Sequence, residues 1–391
     1  MYTEDKMIKI AKRDNNKKRN FLIVNRFQAK HIACSPSSAF QMFDELADTL
    51  CGKFNPHHLL IIGFAETATA IGTRVAVKLG GTYMTTTRED IENVSYLFFT
   101  ESHSHATEQR LVKNDIDNII DGITDILFVE DEVSTGNTIL KLTEVLKKSY
   151  PEKNIHFSVA SLINGMASEY AETYQAKNID LYYLVKTQND ENSKTAETFS
   201  CNGKYLQYSE TMESFDDDFY DRRNLFEDMS ADHSSVVYYY NVSGYMDSRR
   251  TVNPTKYQKA CQQLADTIIS QKSVNSKIKK KKSVLVIGTE EFMYPAIYTA
   301  YEIEKQGCRV KCQSTTRSPI MVSLDKNYPL HQRFELKSPY EEKRKTFIYD
   351  VKKYDKVIVI TDAPESREEI FTLTDTLRHV GNTDIDVVRW C

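Results

Sequence analysis

One stretch of the sequence, residues 126–138, constrains the fold more than any other. Four apolar residues, 126–129, predict a short buried strand, and the carboxylates Glu130 and Asp131 follow at its carboxyl end. A polar turn with one glycine then leads into a helical pattern, and it consists of Ser134, Thr135, Gly136, Asn137 and Thr138. In open α/β sheets, ligands bind where strands end and helices begin.

The chemistry of this stretch predicts the kind of ligand that it holds. Backbone N–H groups at a helix N-terminus form an anion site, so we expect residues 134–138 to bind a phosphate. Carboxylates do not bind phosphate, but Glu130 and Asp131 suit vicinal hydroxyls or a hydrated magnesium ion. Two such acids beside a phosphate-sized turn predict a cradle for ribose 5-phosphate. An ordinary strand-turn-helix is the alternative interpretation of the same residues.

The stretch resembles the 5-phosphoribosyl-1-pyrophosphate (PRPP) motif of the type I phosphoribosyltransferases. That motif is an apolar strand, two acids, two further residues and a Thr/Ser-Thr-Gly-any-Thr loop. The residues that fill it here are Glu130, Asp131, Ser134, Thr135, Gly136 and Thr138. Glu132 and Asn137 depart from it, since the family usually has an apolar residue and often a second glycine there. The resemblance implies PRPP as substrate, magnesium as cofactor and pyrophosphate as leaving group.

Two further strand ends are predicted to face the pyrophosphate. The loop with Ala65, Glu66 and Thr67 follows the apolar run 59–62 and matches the family's pyrophosphate loop by position. Tight packing of a helix on a strand explains its small residues equally well. Glu66 suits a magnesium-bound water, a substrate amine or a helix cap better than pyrophosphate alone. Arg88 lies just past another predicted strand, where a guanidinium binds phosphate oxygens bidentately.

The polar interval 101–110 carries two histidines, two glutamates and an arginine without apolar periodicity. In the resembled family this interval holds the flexible loop that closes over the active site. We therefore expect Arg110 to neutralise pyrophosphate, and His103 or His105 to act as a general base if the acceptor needs one. A metal site built on His-x-His and a plain hydrophilic loop are the alternatives.

The second half of the chain is predicted to form another α/β unit, in which polar motifs again follow strands. Residues 316–319 read Thr-Arg-Ser-Pro, and this half resembles the TRSP domain that is named after them. That domain is found fused behind a PRPP-binding domain, commonly in tellurite-resistance and stress gene clusters. The predicted site residues are Glu290, Glu291, Thr316, Arg317 and Ser318.

Two interpretations of this second site are open. In the first, Thr316, Arg317 and Ser318 bind the anionic group of a phosphorylated intermediate. In the second, Arg317 pairs with an acid such as Asp362 and only joins two loops. Glu290 and Glu291 act as acid–base groups or contact a substrate amine, or they are charges at a helix N-terminus.

Length and charge limit the remaining possibilities. The chain has 391 residues, too many for one ordinary core, and we predict four segments. These are a basic, solvated arm (1–20), a phosphoribosyltransferase-like domain (21–200), an acidic linker (201–234) and the TRSP domain (235–391). The net charge of -4 does not favour nucleic acid, and no apolar run approaches the ~20 residues of a membrane helix. Seven scattered cysteines fit reduced thiols in a cytoplasm.

Together these features predict a PRPP-dependent phosphoribosyltransferase. It would transfer ribose 5-phosphate to an unidentified base or other nucleophile, with magnesium assistance and release of pyrophosphate. Glu130 and Asp131 are the predicted catalytic residues, and they hold the magnesium ion directly or through water. The family context implies a nucleotide-like pathway linked to stress or tellurite resistance. A non-catalytic protein that senses PRPP or nucleotides is the alternative, and a homodimer is left open.

Overall fold

The computed structural model describes two compact units. It covers residues 2–14, 19–99, 108–189, 191–207, 226–227, 236–364 and 367–391. The first unit contains Met1–Lys6, Phe40–Asp190 and Met246–Ala260, and the second contains Met7–Ala39, Glu191–Tyr245 and Cys261–Cys391.

The described residues form eighteen strands. They are β1 (Ile8–Lys12), β2 (Phe21–Asn25), β3 (Leu59–Gly63), β4 (Thr82–Thr85), β5 (Tyr96–Phe98), β6 (Arg110–Val112), β7 (Asp125–Val133), β8 (His156–Asn164), β9 (Ile179–Lys186), β10 (Lys204–Leu206), β11 (Phe226–Glu227), β12 (Val236–Val242), β13 (Ser283–Gly288), β14 (Arg309–Ser314), β15 (Gln332–Lys337), β16 (Lys345–Tyr349), β17 (Lys356–Thr361) and β18 (Asp384–Trp390).

The same residues form eleven α-helices. They are α1 (Glu4–Met7), α2 (Pro36–Asp48), α3 (Thr69–Leu79), α4 (Lys113–Asp117), α5 (Asn137–Ser149), α6 (Ser168–Ala176), α7 (Asn192–Thr198), α8 (Pro254–Ser270), α9 (Lys272–Lys279), α10 (Tyr294–Lys305) and α11 (Arg367–His379). Two short 3-10 helices span Pro56–His58 and Ile120–Gly122. None of the helices in this part of the chain is long and apolar enough to cross a bilayer.

The first unit is built on a five-stranded sheet in the order β4-β3-β7-β8-β9, and every neighbouring pair is parallel. All five residues of β3 are buried, as expected for a parallel sheet that is covered on both faces. The predicted strand 126–129 is longer in the structure. Because Glu130 and Val133 pair with Ser161 and Asn164 of β8, the strand continues through the acids to residue 133.

Residues 246–260 complete the first unit from far along the chain. The Val252 N–H donates to the Tyr83 carbonyl at 2.8 Å, and the Tyr83 N–H donates to the Val252 carbonyl at 3.0 Å. This pairing covers the open side of β4, the edge strand of the sheet. Arg250 adds a two-pronged ion pair with the buried Asp115, with Nε to Oδ2 at 2.8 Å.

The second unit contains a six-stranded sheet in the order β11-β12-β18-β17-β13-β14. The five strands from β12 to β14 are parallel, and β11 is antiparallel to β12. A three-stranded sheet, β10-β15-β16, and the hairpin β1–β2 belong to the same unit. The predicted α/β architecture, a parallel sheet in each half of the chain, is confirmed.

The N-terminal segment is more ordered than its charge suggests. The expectation of a solvated arm is wrong for Ile8–Lys12, because this strand pairs with Phe21–Asn25 and buries Ala11. Most of the predicted acidic linker lies outside the described residues, although Lys204–Leu206 joins β15 in a sheet. The predicted boundaries at 20, 200 and 234 stay predictions, because the compact units follow contacts in space rather than order along the chain.

Candidate functional site

Two acids lie at the carboxyl end of β7, the central strand of the first sheet. Glu130 and Asp131 are both half-buried, and the Asp131 N–H donates to the Glu130 Oε2 at 3.1 Å. Burial raises the pKa of Glu130 well above its usual value, and the negative charge of Asp131 raises this pKa further. Two carboxyl groups at adjacent positions offer oxygen acceptors for a cation or for hydroxyl donors.

The turn after β7 is held by close packing around Gly136. This residue has a φ of +69°, and a Cβ at this position would lie 2.2 Å from the Tyr174 Oη and 2.6 Å from the Met166 Cε. The Tyr174 hydroxyl donates to the Gly136 carbonyl at 2.7 Å. Helix α5 begins at Asn137, which is exposed. The helix buries its apolar face. Ser134, Thr135 and Thr138 are half-buried near this N-terminus.

The loop after β3 lies against the acid pair. The Thr67 Oγ1 donates to the Asp131 Oδ1 at 2.8 Å, which joins this loop to the end of β7. The Ala65 N–H donates to the Thr86 Oγ1 at 2.8 Å, which joins it to the end of β4. The peptide bond between Ala65 and Glu66 is cis. The structure thus brings together three strand ends that are far apart in sequence.

The predicted pyrophosphate arginines lie near the end of β4. Arg88 is half-buried just past this strand, and its carbonyl accepts from the Arg110 guanidinium at 3.1 Å. Arg110 also forms an ion pair with Asp90 at 2.8 Å and lies over the Tyr96 ring at 4.6 Å. The Arg110 guanidinium therefore fixes the β5–β6 hairpin, and a role toward pyrophosphate stays a prediction.

The predicted general bases, His103 and His105, lie outside the described residues. The alternative of a His-x-His metal site at that position falls outside them as well. Among the residues that the structure does describe, no group of three or more His, Cys, Asp or Glu is arranged to hold a metal ion.

A second polar cluster lies at strand ends of the second unit. Glu290 is fully buried, and its Oε2 lies 3.0 Å from the Arg344 Nη1 and 3.7 Å from the Arg317 Nε. Arg317 also donates to the Glu291 Oε1 at 2.9 Å. The Ser338 hydroxyl donates to the other oxygen of Glu290. Glu290, Glu291 and Arg317 therefore belong to one network of carboxylates and guanidinium groups, while Thr316 and Ser318 flank Arg317 and the Ser318 N–H donates to the Thr316 Oγ1 at 3.1 Å.

Several members of this network carry no recognisable sequence signal. Ser338, Tyr340 and Arg344 come from the connection between β15 and β16, a polar stretch without a motif. Asp362, the partner for Arg317 suggested by the sequence, accepts hydrogen bonds from Tyr340 at 2.6 Å and Tyr245 at 2.7 Å. In the first unit, Tyr174 is equally hidden in sequence, because its partner Gly136 is 38 positions away.

Comparison with known families identifies both halves of the chain. Residues 7–188 match the model of a phosphoribosyl transferase family, and residues 247–377 match the TRSP domain that is C-terminal to it. The chain belongs to this two-domain phosphoribosyltransferase family. The resemblance predicted from residues 126–138 and 316–319 is thereby confirmed, and the chain is a phosphoribosyltransferase. No curated protein is significantly similar to it.

Solved phosphoribosyltransferase structures resemble only part of this family member. Adenine phosphoribosyltransferase from Trypanosoma brucei, in complex with AMP, pyrophosphate and ribose-5-phosphate, is 15% identical, covering 48% of this chain and 80% of its own, with a TM-score of 0.34. The enzyme from Thermoanaerobacter pseudethanolicus is 15% identical (46% and 96% covered, TM-score 0.34). Orotate phosphoribosyltransferase from Aeropyrum pernix is 14% identical (49% and 94% covered, TM-score 0.31). At these TM-scores no residue role is transferred from them.

Proposed function

We propose that the first unit transfers a 5-phosphoribosyl group from PRPP to a nucleophile and releases pyrophosphate. The observation that carries this proposal is the hydrogen bond from Thr67 to Asp131, which joins the loop after β3 to the acid pair. The phosphate-sized turn of residues 134–138 follows the same acids. Binding groups for a sugar, a 5-phosphate and a pyrophosphate would then meet at one edge of the sheet.

Each strand end has a proposed role in the transfer. Glu130 and Asp131 would bind the ribose hydroxyls and favour the positive charge that develops at carbon-1 as pyrophosphate leaves. Backbone N–H groups of residues 134–138 would bind the 5-phosphate. Ala65, Glu66 and Thr67 would line the pyrophosphate, with Arg88 and Arg110 neutralising it. These proposed residues are Glu130, Asp131, Ala65, Glu66, Thr67, Arg88 and Arg110.

The acid pair fits a magnesium ion. Glu130 and Asp131 offer hard oxygen donors from adjacent positions at the end of β7, where the Asp131 N–H also holds the Glu130 carboxylate at 3.1 Å. Proteins commonly bind magnesium through one or two carboxylates, while water and substrate phosphates supply the other ligands. When bound, the ion would neutralise charge on the departing pyrophosphate.

Other parts of the predicted function concern the TRSP domain, the acceptor and the cellular setting. In the TRSP domain, an anion-binding role for Glu290, Glu291, Thr316, Arg317 and Ser318 stays a prediction, because the Arg317 guanidinium lies 2.9 Å from the Glu291 carboxylate and 3.7 Å from the Glu290 carboxylate. The acceptor is a base or another nucleophile. A link to stress or tellurite resistance, a cytoplasmic location and a homodimer stay predictions.

The test is a double variant, Glu130→Gln with Asp131→Asn. We expect magnesium-dependent PRPP affinity, measured by calorimetry, to fall about tenfold or more, which is about 1.4 kcal/mol. Glu144→Gln on the exposed face of α5 removes one charge outside the site and should leave the affinity unchanged. An unchanged affinity in the double variant would overturn the proposed site.

A second measurement separates transfer from sensing. Wild-type protein is mixed with PRPP, magnesium and a panel of purine, pyrimidine and amine acceptors, and pyrophosphate release is followed. Release that depends on an acceptor and is lost in the double variant supports transfer. Tight PRPP binding without release from any acceptor would instead support the alternative of a PRPP-sensing protein.

A further inference from the structure

The second unit repeats the strand order of the first. The first sheet runs β4-β3-β7-β8-β9, and the corresponding strands of the second run β14-β13-β17-β18-β12, with all neighbours parallel. In each unit the second strand of this order, the starting strand (β3 or β13), is followed along the chain by one helix (α3 or α10) and then by the edge strand (β4 or β14). An antiparallel pair follows (β5–β6 or β15–β16), and the chain then returns to the other side of the starting strand. The fifth strands of the two orders, β9 and β12, differ in their place along the chain. Strand β9 comes after the other four strands of its sheet, whereas β12 comes before the other four.

Backbone hydrogen bonds at the strand ends also correspond. The Thr86 N–H donates to the Gly63 carbonyl at 2.9 Å, and the Thr315 N–H donates to the Gly288 carbonyl at 3.0 Å. In each unit this bond joins the residue after the edge strand to the last residue of the starting strand. The same bond at the same place indicates that the two loops are built alike.

A side-chain hydrogen bond in these loops is repeated as well. The Ala65 N–H donates to the Thr86 Oγ1 at 2.8 Å, and the Glu290 N–H donates to the Thr315 Oγ1 at 3.0 Å. Ala65 and Glu290 each stand two positions after the last residue of their strand, so the two residues are equivalent. Arg88 and Arg317 each stand two positions after the equivalent threonine.

The antiparallel pairs attach to the two sheets in the same manner. The Thr87 N–H donates to the Arg110 carbonyl, the first residue of β6, and the Thr316 N–H donates to the Phe347 carbonyl in β16, both at 2.9 Å. The acids correspond too. The residue paired with Gly63 stands two positions before Asp131, and the residue paired with Gly288 stands two positions before Asp362.

We infer that the second unit is a second phosphoribosyltransferase-like fold in which the Glu290 carboxylate occupies the corner that takes pyrophosphate in the first unit. This inference rests on the proposed function for the location of that corner. Equivalent positions carry Ala65 in the first unit and Glu290 in the second. An alanine has no group that competes with a ligand, whereas a glutamate supplies an anion of its own.

The contacts of Glu290 are those of a bound anion. Its carboxylate is fully buried and receives the Arg344 guanidinium, the Ser338 hydroxyl and, at longer range, the Arg317 guanidinium. Guanidinium groups and hydroxyls are the donors that bind phosphate oxygens in proteins. Because a buried carboxylate is stable only with such partners, Arg317 and Arg344 neutralise Glu290.

The connection between β15 and β16 closes over the same strand ends. It supplies Ser338 and Arg344 to Glu290, and Tyr340 to Asp362. The Tyr340 hydroxyl also lies 2.7 Å from the Thr289 Oγ1. The residue equivalent to Asp131 is therefore bonded to the protein's own tyrosine in the second unit.

The phosphate turn has also changed in sequence. Between Asp131 and α5 the chain reads Glu-Val-Ser-Thr-Gly, whereas between Asp362 and α11 it reads Ala-Pro-Glu-Ser. The second sequence lacks the glycine, and its proline has no backbone N–H to donate to a phosphate. One transfer centre per chain follows, with the TRSP domain holding an internal anion.

The experiment exchanges the two equivalent residues. Inorganic pyrophosphate with magnesium is titrated into the full chain by calorimetry. We expect wild type to bind one pyrophosphate, Glu290→Ala to bind two, Ala65→Glu to bind none, and the double exchange to bind one. Glu290→Gln is the matched control. It removes the charge but keeps the volume of the side chain, so it should gain no second site.

The outcomes separate this inference from the proposed function. If Glu290→Ala binds no more pyrophosphate than wild type, the inference is overturned. If wild type binds none but Glu290→Ala gains one, the result supports the inference that Glu290 fills an anion site in the second unit, and it shows that the proposed pyrophosphate corner of the first unit is wrong. Should Glu290→Ala fail to fold, two equivalents bound by wild type, or full binding by Ala65→Glu, would overturn the inference instead.

Discussion

Replacing Gly136 with alanine tests the packing that positions the phosphate turn. Gly136 has a φ of +69°, and an added Cβ would lie 2.2 Å from the Tyr174 Oη, 2.6 Å from the Met166 Cε and 2.7 Å from the Tyr174 Cζ. The variant therefore meets two independent penalties. One is the left-handed backbone, which disfavours any Cβ, and the other is overlap with side chains that have little room to move.

The two penalties can be estimated separately. A non-glycine residue in the left-handed region costs about 1–2 kcal/mol. Inserting a methyl group into a packed region typically costs about 1–3 kcal/mol. We expect Gly136→Ala to lower the free energy of unfolding of the first unit by about 2–5 kcal/mol. PRPP affinity should fall as well, because the turn that would bind the 5-phosphate is displaced.

Two other glycines of the first unit serve as matched controls. Gly52 has a φ of +75° with no atom within 4 Å of an added Cβ, so Gly52→Ala measures the backbone penalty alone. Gly122 has open space and no left-handed φ, so Gly122→Ala measures only the loss of freedom in the unfolded chain. Differences among the three variants cancel that shared contribution and isolate the overlap with Tyr174 and Met166.

Urea unfolding followed by far-UV circular dichroism measures the three variants. The single tryptophan, Trp390, lies in the second unit, and its fluorescence reports that unit separately. The urea midpoint of the second unit should be unchanged in all three variants. The packing explanation is refuted if Gly136→Ala is no more destabilised than Gly52→Ala.

Two ion pairs, each with a buried aspartate, should respond to pH in opposite directions. Burial alone would raise the pKa of Asp115, but its bonds to Arg250 and Thr251 lower this pKa overall. The stabilisation is therefore complete above the unfolded pKa of about 3.9 and is lost at lower pH. Because the Arg250 side chain is partly exposed, Asp115→Asn should cost about 1–3 kcal/mol at pH 7 in a urea titration, and less below pH 4. Burial raises the pKa of Asp386 despite the ion pair with Lys356, so its contribution is complete below about pH 3.9 and declines as pH rises through the folded pKa. Lys356→Met, which leaves Asp386 buried without its cation, should therefore be most destabilised at pH 7 and recover toward pH 4; a deficit independent of pH in either variant would contradict the assignment.

Local patterns were sufficient for the first unit's sheet and for its central motif. The apolar run 126–129 followed by two acids and a glycine-containing turn specifies a strand and a helix start through backbone propensity and burial. The end of the strand was less predictable. Glu130 and Val133 remain in β7 because β8 provides their partners, and hydrophobicity gives no sign of that pairing.

The sequence also contains a repeat of one loop. Gly63-Phe64-Ala65-Glu66 and Gly288-Thr289-Glu290-Glu291 follow strands of similar length, and each is followed by a helix and a Thr-Thr-Arg sequence. Read alone, each segment suggests a strand end with polar residues. The equivalence becomes evident from the matching hydrogen bonds and sheet order, which are properties of the folded chain.

By itself, the sequence determined the α/β class, the PRPP motif and the family of both halves, because these depend on residues that are neighbours along the chain. Only the tertiary structure decided which groups meet. Thr67 reaches Asp131 across 64 positions and Arg344 reaches Glu290 across 54, so neither pair leaves a local pattern. Sheet order selects such partners, since parallel strands bring their carboxyl ends to one edge regardless of their separation in sequence. The loop on the neighbouring strand then decides what an arginine at that edge contacts, as Glu290 does for Arg317.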